Sequence, residues 1–332
     1  MKKILVLGAT GNVGSYFTKY AFEYFRGDEY QIVASGKRPI ANVFKTMGIE
    51  YISADITKQE DIQKFPTEDV YAVVLLAAVI PAYMEGYHPQ EYINSIIQGS
   101  YNILEYCRMN CVNRILYSTT CFDVWEYPKD MIIKPDMPLK YSYTGDHAMY
   151  VICKNTAVEM LEHYHQQYGL NTFVFRFPTV YSYSTNHYIY PGGKKTLRPL
   201  YKLIFNAMEG KPLEIWGDRN YAKDMLYVDD LSQMFCKAIE VQGLEHGFYN
   251  CGTGIPVTSQ QQMEAIRDVF CPVDMKSEII CLQDKPAGGG VLMDVLNAKE
   301  ELGYQPVFDV HKLFEEFRKE MQVDRFLELR GR

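Results

Sequence analysis

Tyr150-Val151-Ile152-Cys153-Lys154 places a phenol and an amine four residues apart, which on a helix means one face. A free tyrosine, with a pKa of about 10, is a poor base at neutral pH. A cation held beside it stabilises the phenolate and brings that pKa toward the working range of a general acid/base. Such a tyrosine delivers or removes a hydroxyl proton while hydride moves to or from a carrier. With 27 tyrosines in the chain the spacing also arises by chance, so it needs a context. Ser118-Thr119-Thr120, at the end of an apolar run some 30 residues earlier, supplies one. A hydroxyl there can bond the substrate oxygen that the tyrosine protonates, although strand-end capping explains such a triplet when it stands alone.

A hydride carrier has its own candidate. Gly8-Ala9-Thr10-Gly11-Asn12-Val13-Gly14 follows the apolar run Ile4-Leu5-Val6-Leu7 at once and opens a helical pattern. Small residues let the backbone approach a pyrophosphate, and the helix N-terminus offers free N–H groups and a partial positive charge. The last glycine lets the helix lie close to the strand. Strand, loop and helix in this order point to a dinucleotide rather than to a glycine-rich turn. Its identity is read after the second strand, where an acidic residue holds the ribose hydroxyls of NAD and a basic one the 2′-phosphate of NADP. The segment Ile32-Val33-Ala34-Ser35-Gly36-Lys37-Arg38-Pro39 holds no acid and two cations, which favours NADP(H) and leaves NAD open. Solvated surface charge is the plainer account of Lys37 and Arg38.

These groups need a frame. Apolar runs at 3–8, 30–35, 49–53, 70–77, 113–119 and 171–177 predict strands, and amphipathic stretches at 12–26, 40–47, 58–64, 88–110 and 147–168 predict the helices between them. Continuous apolar runs such as Val70-Tyr71-Ala72-Val73-Val74-Leu75-Leu76 suit a parallel sheet covered on both faces. The expectation is an α/β fold with a doubly wound, Rossmann-like parallel sheet, binding its ligands at the carboxyl ends of the strands. After residue 178 the rhythm changes to a stretch rich in Tyr, Pro, Gly and basic residues, followed by helices near 229–241, 257–270, 297–302 and 309–322 and a turn at 250–254. Residues 1–178 therefore read as the dinucleotide-binding domain, with segments near 225–250 returning to it. Residues 179–224 and 251–332 read as a smaller mixed α/β substrate lobe closing a cleft over the sheet edge.

Composition narrows the function classes. Hydrophobic residues make up 47% of the 332-residue chain and charged residues 23%, ordinary globular usage. A net charge of −7 argues against nucleic acid as a partner, since phosphate contacts need clustered Lys and Arg. No apolar run approaches the roughly 20 residues of a membrane span. Ile4–Leu7 is too short for a signal peptide and breaks at Gly8. The eight cysteines form no Cys-x-x-Cys pair, and Cys107 and Cys111 lack His partners at ligand spacing, so helix thiols are expected rather than a metal site. A cytoplasmic enzyme with a small-molecule substrate fits these numbers.

Taken together, Gly8-x-x-Gly11-x-x-Gly14, Leu76-Ala77-Ala78, Asn94, Ser118-Thr119-Thr120, Tyr150-x-x-x-Lys154 and Arg176-Phe177-Pro178 occur in the order and spacing of the extended short-chain dehydrogenases/reductases. Lys223-Asp224-Met225-Leu226-Tyr227-Val228-Asp229-Asp230-Leu231 resembles that family's Arg-Asp-Phe-Val-His-Val-Asp-Asp-Leu signature, and Tyr249–Gly254 and Leu302–Pro306 are similar to its C-terminal landmarks. The resemblance is strongest to its NAD(P)-dependent epimerase/dehydratase group. It implies Tyr150 as acid/base, Lys154 as its pKa-lowering partner and ribose anchor, and Thr120 as hydroxyl assistant in contact with substrate. It further implies that Asp55-Ile56 contacts the adenine, that Leu76-Ala77-Ala78, Asn94 and Ser118 line the cofactor, and that Phe177-Pro178 abuts the nicotinamide. A helix cap before Thr57-Lys58 accounts for Asp55 equally simply.

Two departures bear on the reaction. Sugar dehydratases of this group carry Thr-Asp-Glu, whereas Thr120 precedes Cys121-Phe122, so a 4,6-dehydratase is not expected. Nucleotide-sugar enzymes hold the substrate diphosphate with arginines; here Lys223 occupies the first position, and Pro286-Ala287-Gly288-Gly289-Gly290 offers no cation for the second. Lys194, Lys195 and Arg198 are candidates to compensate. Three readings follow: a sugar-nucleotide epimerase, an NADPH-dependent reductase of another carbonyl compound, and a cofactor-binding sensor without turnover. The resemblance also implies a homodimer through the helices at 88–110 and 147–168, with Tyr92, Ile96, Ile97, Tyr101, Leu104, Met160, Leu161 and Tyr164 as its apolar surface; packing within the chain explains the same residues.

Overall fold

A computed structural model describes residues 1–27 and 29–330. Seven strands form one parallel sheet: β1 (Lys2–Leu7), β2 (Tyr30–Gly36), β3 (Glu50–Ser53), β4 (Val70–Leu75), β5 (Arg114–Thr120), β6 (Asn171–Phe177) and β7 (His246–Asn250). Their spatial order is β7-β6-β5-β4-β1-β2-β3. The register pairs Leu5 of β1 with Val33 on one side and Val73 on the other. The strand order reverses between β1 and β4, which opens a crevice at their carboxyl ends.

Successive strand residues face opposite ways, and both faces are apolar. Ile4, Val6, Ala34, Val74, Leu116 and Phe175 pack with helix α1 (Asn12–Tyr24) and with a helix that returns late in the chain. Leu5, Leu7, Val33, Val73, Ile115 and Val174 pack with α2 (Gly99–Met109) and α3 (Ala148–Tyr168). The late helix is α4 (Val228–Glu240); its Phe235 ring lies 5.4 Å from Phe17 of α1 and 4.5 Å from Phe175 of β6. Each fully buried aliphatic or aromatic side chain contributes about 1.5–3 kcal/mol, so this double cover is the main force holding the strand ends in place.

Where the fold departs from the sequence reading, local causes are visible. β7 was not anticipated: His246-Gly247-Phe248-Tyr249-Asn250 is short and begins polar, and it becomes a strand by pairing with β6, Phe248 opposite Val174. The helix expected over 88–110 forms, running from Pro89 to Met109, with a wide π-helical turn at Ile93–Gln98 between Pro89–Tyr92 and α2. Within 179–224, the helix Pro199–Met208 and the strand Leu213–Trp216, which pairs in parallel with Ile279–Leu282, were also hidden. The last described residues leave the C-terminal lobe: Phe326 packs edge-on against Tyr16 of α1 with ring centroids 4.9 Å apart. Among the described residues, no helix is long and apolar enough to cross a membrane.

The apolar stripe named for a dimer is largely spent inside the chain. Tyr92, Ile96, Leu104, Leu161 and Tyr164 are buried in the core, while Tyr101 is exposed. Helical periodicity picks out the face that packs, and here the sheet takes most of it.

Candidate active site

The glycine loop joins β1 to α1 at the crevice. Gly8 has a φ of +88°, and a Cβ there would come within 2.6 Å of the Ala77 nitrogen, so β4's exit closes directly over the loop. A Cβ at Gly14 would overlap the Gly8 carbonyl oxygen, which keeps α1 pressed onto β1. Gly11 caps α1, its N–H donating to Gly8 O at 2.9 Å. Asn12 donates to Ser182 Oγ at 2.6 Å, while its Oδ1 is buried without a hydrogen-bond partner. Val13 packs against the core, and the Thr10 side chain lies against Gly36 at the end of β2. The loop thus leaves an open backbone cradle with one unfilled acceptor, a fit for the phosphates and ribose of a dinucleotide.

At the adenosine end, Lys37 lies 3.1 Å from Asp55 and is 60% exposed. Asp55 also accepts from Thr57 N (3.0 Å) and Thr57 Oγ1 (2.9 Å). Burial alone would raise the Asp55 carboxyl, but these donors and Lys37 hold it below the usual carboxylate range. The Arg38 carbonyl accepts from Tyr51 Oη at 2.7 Å. Ile56 is buried against Gly99 of α2. Leu76, Ala77 and Ala78 run past the glycine loop at the end of β4. The exposed Asn94 side chain accepts from Gln90 at 2.8 Å, and neighbouring Ser95 is buried and accepts from Val79 N, just past Ala78, at 3.3 Å. The wide turn at Ile93–Gln98 rotates the side chains relative to a regular helix.

The carboxyl end of β5 carries Ser118, Thr119 and Thr120, all buried, and α3 lays Tyr150 and Lys154 across it. The Thr120 hydroxyl lies close to the Tyr150 phenol, and the Tyr92 ring packs edge-on against Tyr150 at 5.9 Å. Burial pushes the Tyr150 phenol up, with the Thr120 hydrogen bond opposing it. Lys154 reaches back to β5. Its ammonium donates to Ser118 O at 2.6 Å and Ser118 Oγ at 3.4 Å and stands 4.7 Å from the Tyr117 ring centroid. In this arrangement the carbonyl at the end of β5 takes the Lys154 ammonium, and the balance of burial against hydrogen bonding raises the Tyr150 phenol.

Burial drops the Lys154 ammonium to about 7, from 10.5. Between those two pH values the unfolded chain holds a proton that the folded chain has lost, so stability rises with pH across that window. Below pH 7 the folded protein must bury the charge. Lys154→Met is expected to raise the melting temperature of the cofactor-free protein near pH 6 and to flatten the gain in stability toward about pH 9. Thermal denaturation at the two pH values checks this; an unchanged pH slope would sink it.

Beneath Thr120 lies a group that sequence reading passed over. Asp123, buried in the turn Cys121–Val124, sits with its Oδ1 2.9 Å from Arg176 Nε, and Arg176 donates to Asn250 Oδ1 at 3.1 Å. Burial raises the Asp123 carboxyl to about 6, with Arg176 pulling it down. The pair ties the ends of β5, β6 and β7 together behind the hydroxyls. Pro178 is buried beyond β6, and Phe177 packs on Phe235 at 5.8 Å.

Outside Tyr92 opens a cavity of about 460 Å³ lined by Tyr87, Tyr143, Asp146 and Tyr190. The Lys223 stem lies against Gly290 in the cation-free segment 286–290. Among the described residues no cluster of His, Cys, Asp or Glu is arranged for a metal; Cys107 is buried and Cys111 exposed.

A parallel sheet with a glycine loop at its crevice and a Thr/Tyr/Lys set at the next strand end defines a Rossmann-type dinucleotide-binding protein. Residues 4–252 match the model of the NAD dependent epimerase/dehydratase family, and the chain belongs to that family. Among its relatives is a UDP-glucuronate 4-epimerase of Thermodesulfobacterium geofontis, 26% identical over 271 residues, 81% of this chain and 78% of the relative. Solved structures of similar fold include a UDP-glucose 4-epimerase with UDP-glucose from Thermotoga maritima (TM-score 0.75, 22% identity, 96% of this chain and 99% of that one). Another is a UDP-glucuronic acid 4-epimerase from Bacillus cereus in complex with NAD (TM-score 0.70, 20% identity, 96% and 99%).

Proposed function

We propose that this chain is an NAD(P)-dependent epimerase acting on a nucleotide sugar, in which Tyr150 removes a proton from a sugar hydroxyl and later returns it. The observation that carries the reading is the buried pair of hydroxyls, Thr120 and Tyr150, at the carboxyl end of β5 beside the glycine loop. Family membership and the UDP-sugar 4-epimerases among its relatives support it. A bound nicotinamide would supply the hydride transfer at the substrate carbon. Gly8, Gly11, Asn12 and Gly14 would hold the pyrophosphate, Lys154 the nicotinamide ribose, and Thr120 the substrate oxygen. Lys37 and Arg38 favour NADP(H), although Asp55 already balances Lys37; the Bacillus cereus neighbour carries NAD.

The test is to incubate the purified protein with UDP-glucose, UDP-N-acetylglucosamine and UDP-glucuronate and follow inversion at C4 by NMR, while mass spectrometry identifies the dinucleotide released on denaturation. Interconversion of one substrate without net cofactor consumption is the expected result; none with any of them rejects the epimerase. A second reading, reduction of a carbonyl compound lacking a nucleotide, is favoured by the cation-free segment 286–290 against Lys223. It predicts steady NADPH consumption with a carbonyl substrate instead. A homodimer through α2 and α3 would rest on Tyr101, Ile97 and Met160, which the core leaves at least partly accessible.

A further inference from the structure

The chain ends where it began. Phe326 and Leu329 are buried, and between them the Glu328 carboxylate accepts from Asn42 N at 2.6 Å and Val43 N at 3.0 Å. Those N–H groups open the short helix Asn42–Thr46 that follows Lys37 and Arg38. Two residues on, the Arg330 guanidinium donates to Thr10 O in the glycine loop at 3.2 Å and to Ser15 Oγ in the first turn of α1 at 2.6 Å. Its Nε is buried with no hydrogen-bond partner. So is Asn12 Oδ1, two residues beyond Thr10 in the same loop.

The charge balance around Arg330 is one-sided. Tyr16, Tyr83, Tyr201 and Arg38 are near enough to act on its charge, and the Asp324 carboxylate feels it in turn. Among the described residues none forms an ion pair with it. The guanidinium is bonded to a carbonyl and a hydroxyl, keeps a spare donor and has a second cation nearby, and among the described residues no carboxylate makes the direct ion pair that normally offsets such burial. Arginine's planar fork leaves further N–H groups suited to phosphate oxygens.

We propose that Arg330 is a phosphate-binding residue of the dinucleotide site, and that Phe326–Arg330 is a strap that completes this site from the far end of the chain. The proposal rests on the dinucleotide reading above. The ligand chemistry is a phosphate of the cofactor, either the pyrophosphate that the glycine loop cradles or the 2′-phosphate that Arg38 would meet.

Equilibrium titration of wild type, Arg330→Ala and Arg330→Lys with NAD+ and with NADP+, read by intrinsic fluorescence, tests it without any need for turnover. Arg330→Ala is expected to weaken binding about 10- to 100-fold, the loss of one charge-assisted hydrogen bond, and Arg330→Lys to lose less. An equal loss for both dinucleotides assigns the pyrophosphate, and a larger loss for NADP+ the 2′-phosphate; either supports the proposal. Unchanged affinity in Arg330→Ala beside a wild type that binds overturns it. A wild type that binds neither dinucleotide brings down the underlying reading instead, and the proposal with it. Should Arg330→Ala fail to fold, hydrogen exchange of residues 324–330 in the wild type decides: slowing on addition of dinucleotide is expected, and no change overturns the strap.

Discussion

Replacing Tyr150 with Phe lowers kcat by about 10²- to 10⁴-fold, the usual contribution of a positioned acid/base, while cofactor binding stays unchanged. The phenyl ring keeps the edge-on packing against Tyr92, so the fold around it has no reason to move. What is lost is one proton-transfer group, and nothing nearby replaces it: Cys121 is buried with its thiol pushed up to about 12, and Lys154 is engaged with Ser118. Because burial holds the phenol up, the wild-type rate of hydroxyl oxidation should climb with pH through the neutral range, and Tyr150→Phe should flatten that climb. Thr120→Val removes one neutral hydrogen bond and should cost far less, about 1 kcal/mol or roughly five-fold. Steady-state kinetics with the substrate identified by the NMR screen would measure all three. Undiminished turnover in Tyr150→Phe rejects Tyr150 as the acid/base.

The parts of this site that were readable in the sequence are those that act over a few residues. Tyr150 and Lys154 share a helical face, the glycine loop shows itself by strand, loop and helix in immediate succession, and the strand cores show as apolar runs. Six of the seven sheet strands carry such runs; β7 does not, because it is made a strand by β6, some 70 residues earlier. The same limit hid the pairing of Asp123 with Arg176, which meet only when β5 and β6 lie side by side, and Arg330, which reaches the glycine loop across nearly the whole chain. Spacing alone also leaves open which way a side chain faces. Asn94 is exposed in a π-helical stretch, and most of the apolar stripe considered for a dimer packs in the core.

Arg176→Met is expected to destabilise the protein by about 3–5 kcal/mol near pH 7, the cost of leaving one member of a buried ion pair alone. Arg176 and Asp123 are almost completely buried, so water cannot replace the missing partner. The size of the loss should depend on pH in a defined direction. Asp123 already holds its proton up to about pH 6 because burial outweighs the pull of Arg176, and without that pull the value climbs further. The variant's folded state then binds a proton that its unfolded state has released, so its stability falls as pH rises above the unfolded carboxylate value of about 4 and through the raised folded value. Near pH 5 the folded variant carries a neutral acid, and the deficit shrinks. Urea denaturation of wild type, Arg176→Met, Asp123→Leu and the double variant, near pH 5 and near pH 7, separates these terms. The double variant should recover much of the loss, since a buried pair exchanged for apolar side chains of similar volume is often neutral. Additive losses in the double variant, or a deficit that grows on acidification, would show that the pair does not work as a charge-coupled unit. Asp123 belongs to the turn that directly follows Thr120. The single variants should therefore also lose turnover at temperatures where they remain folded, by displacing the hydroxyl that positions the substrate oxygen.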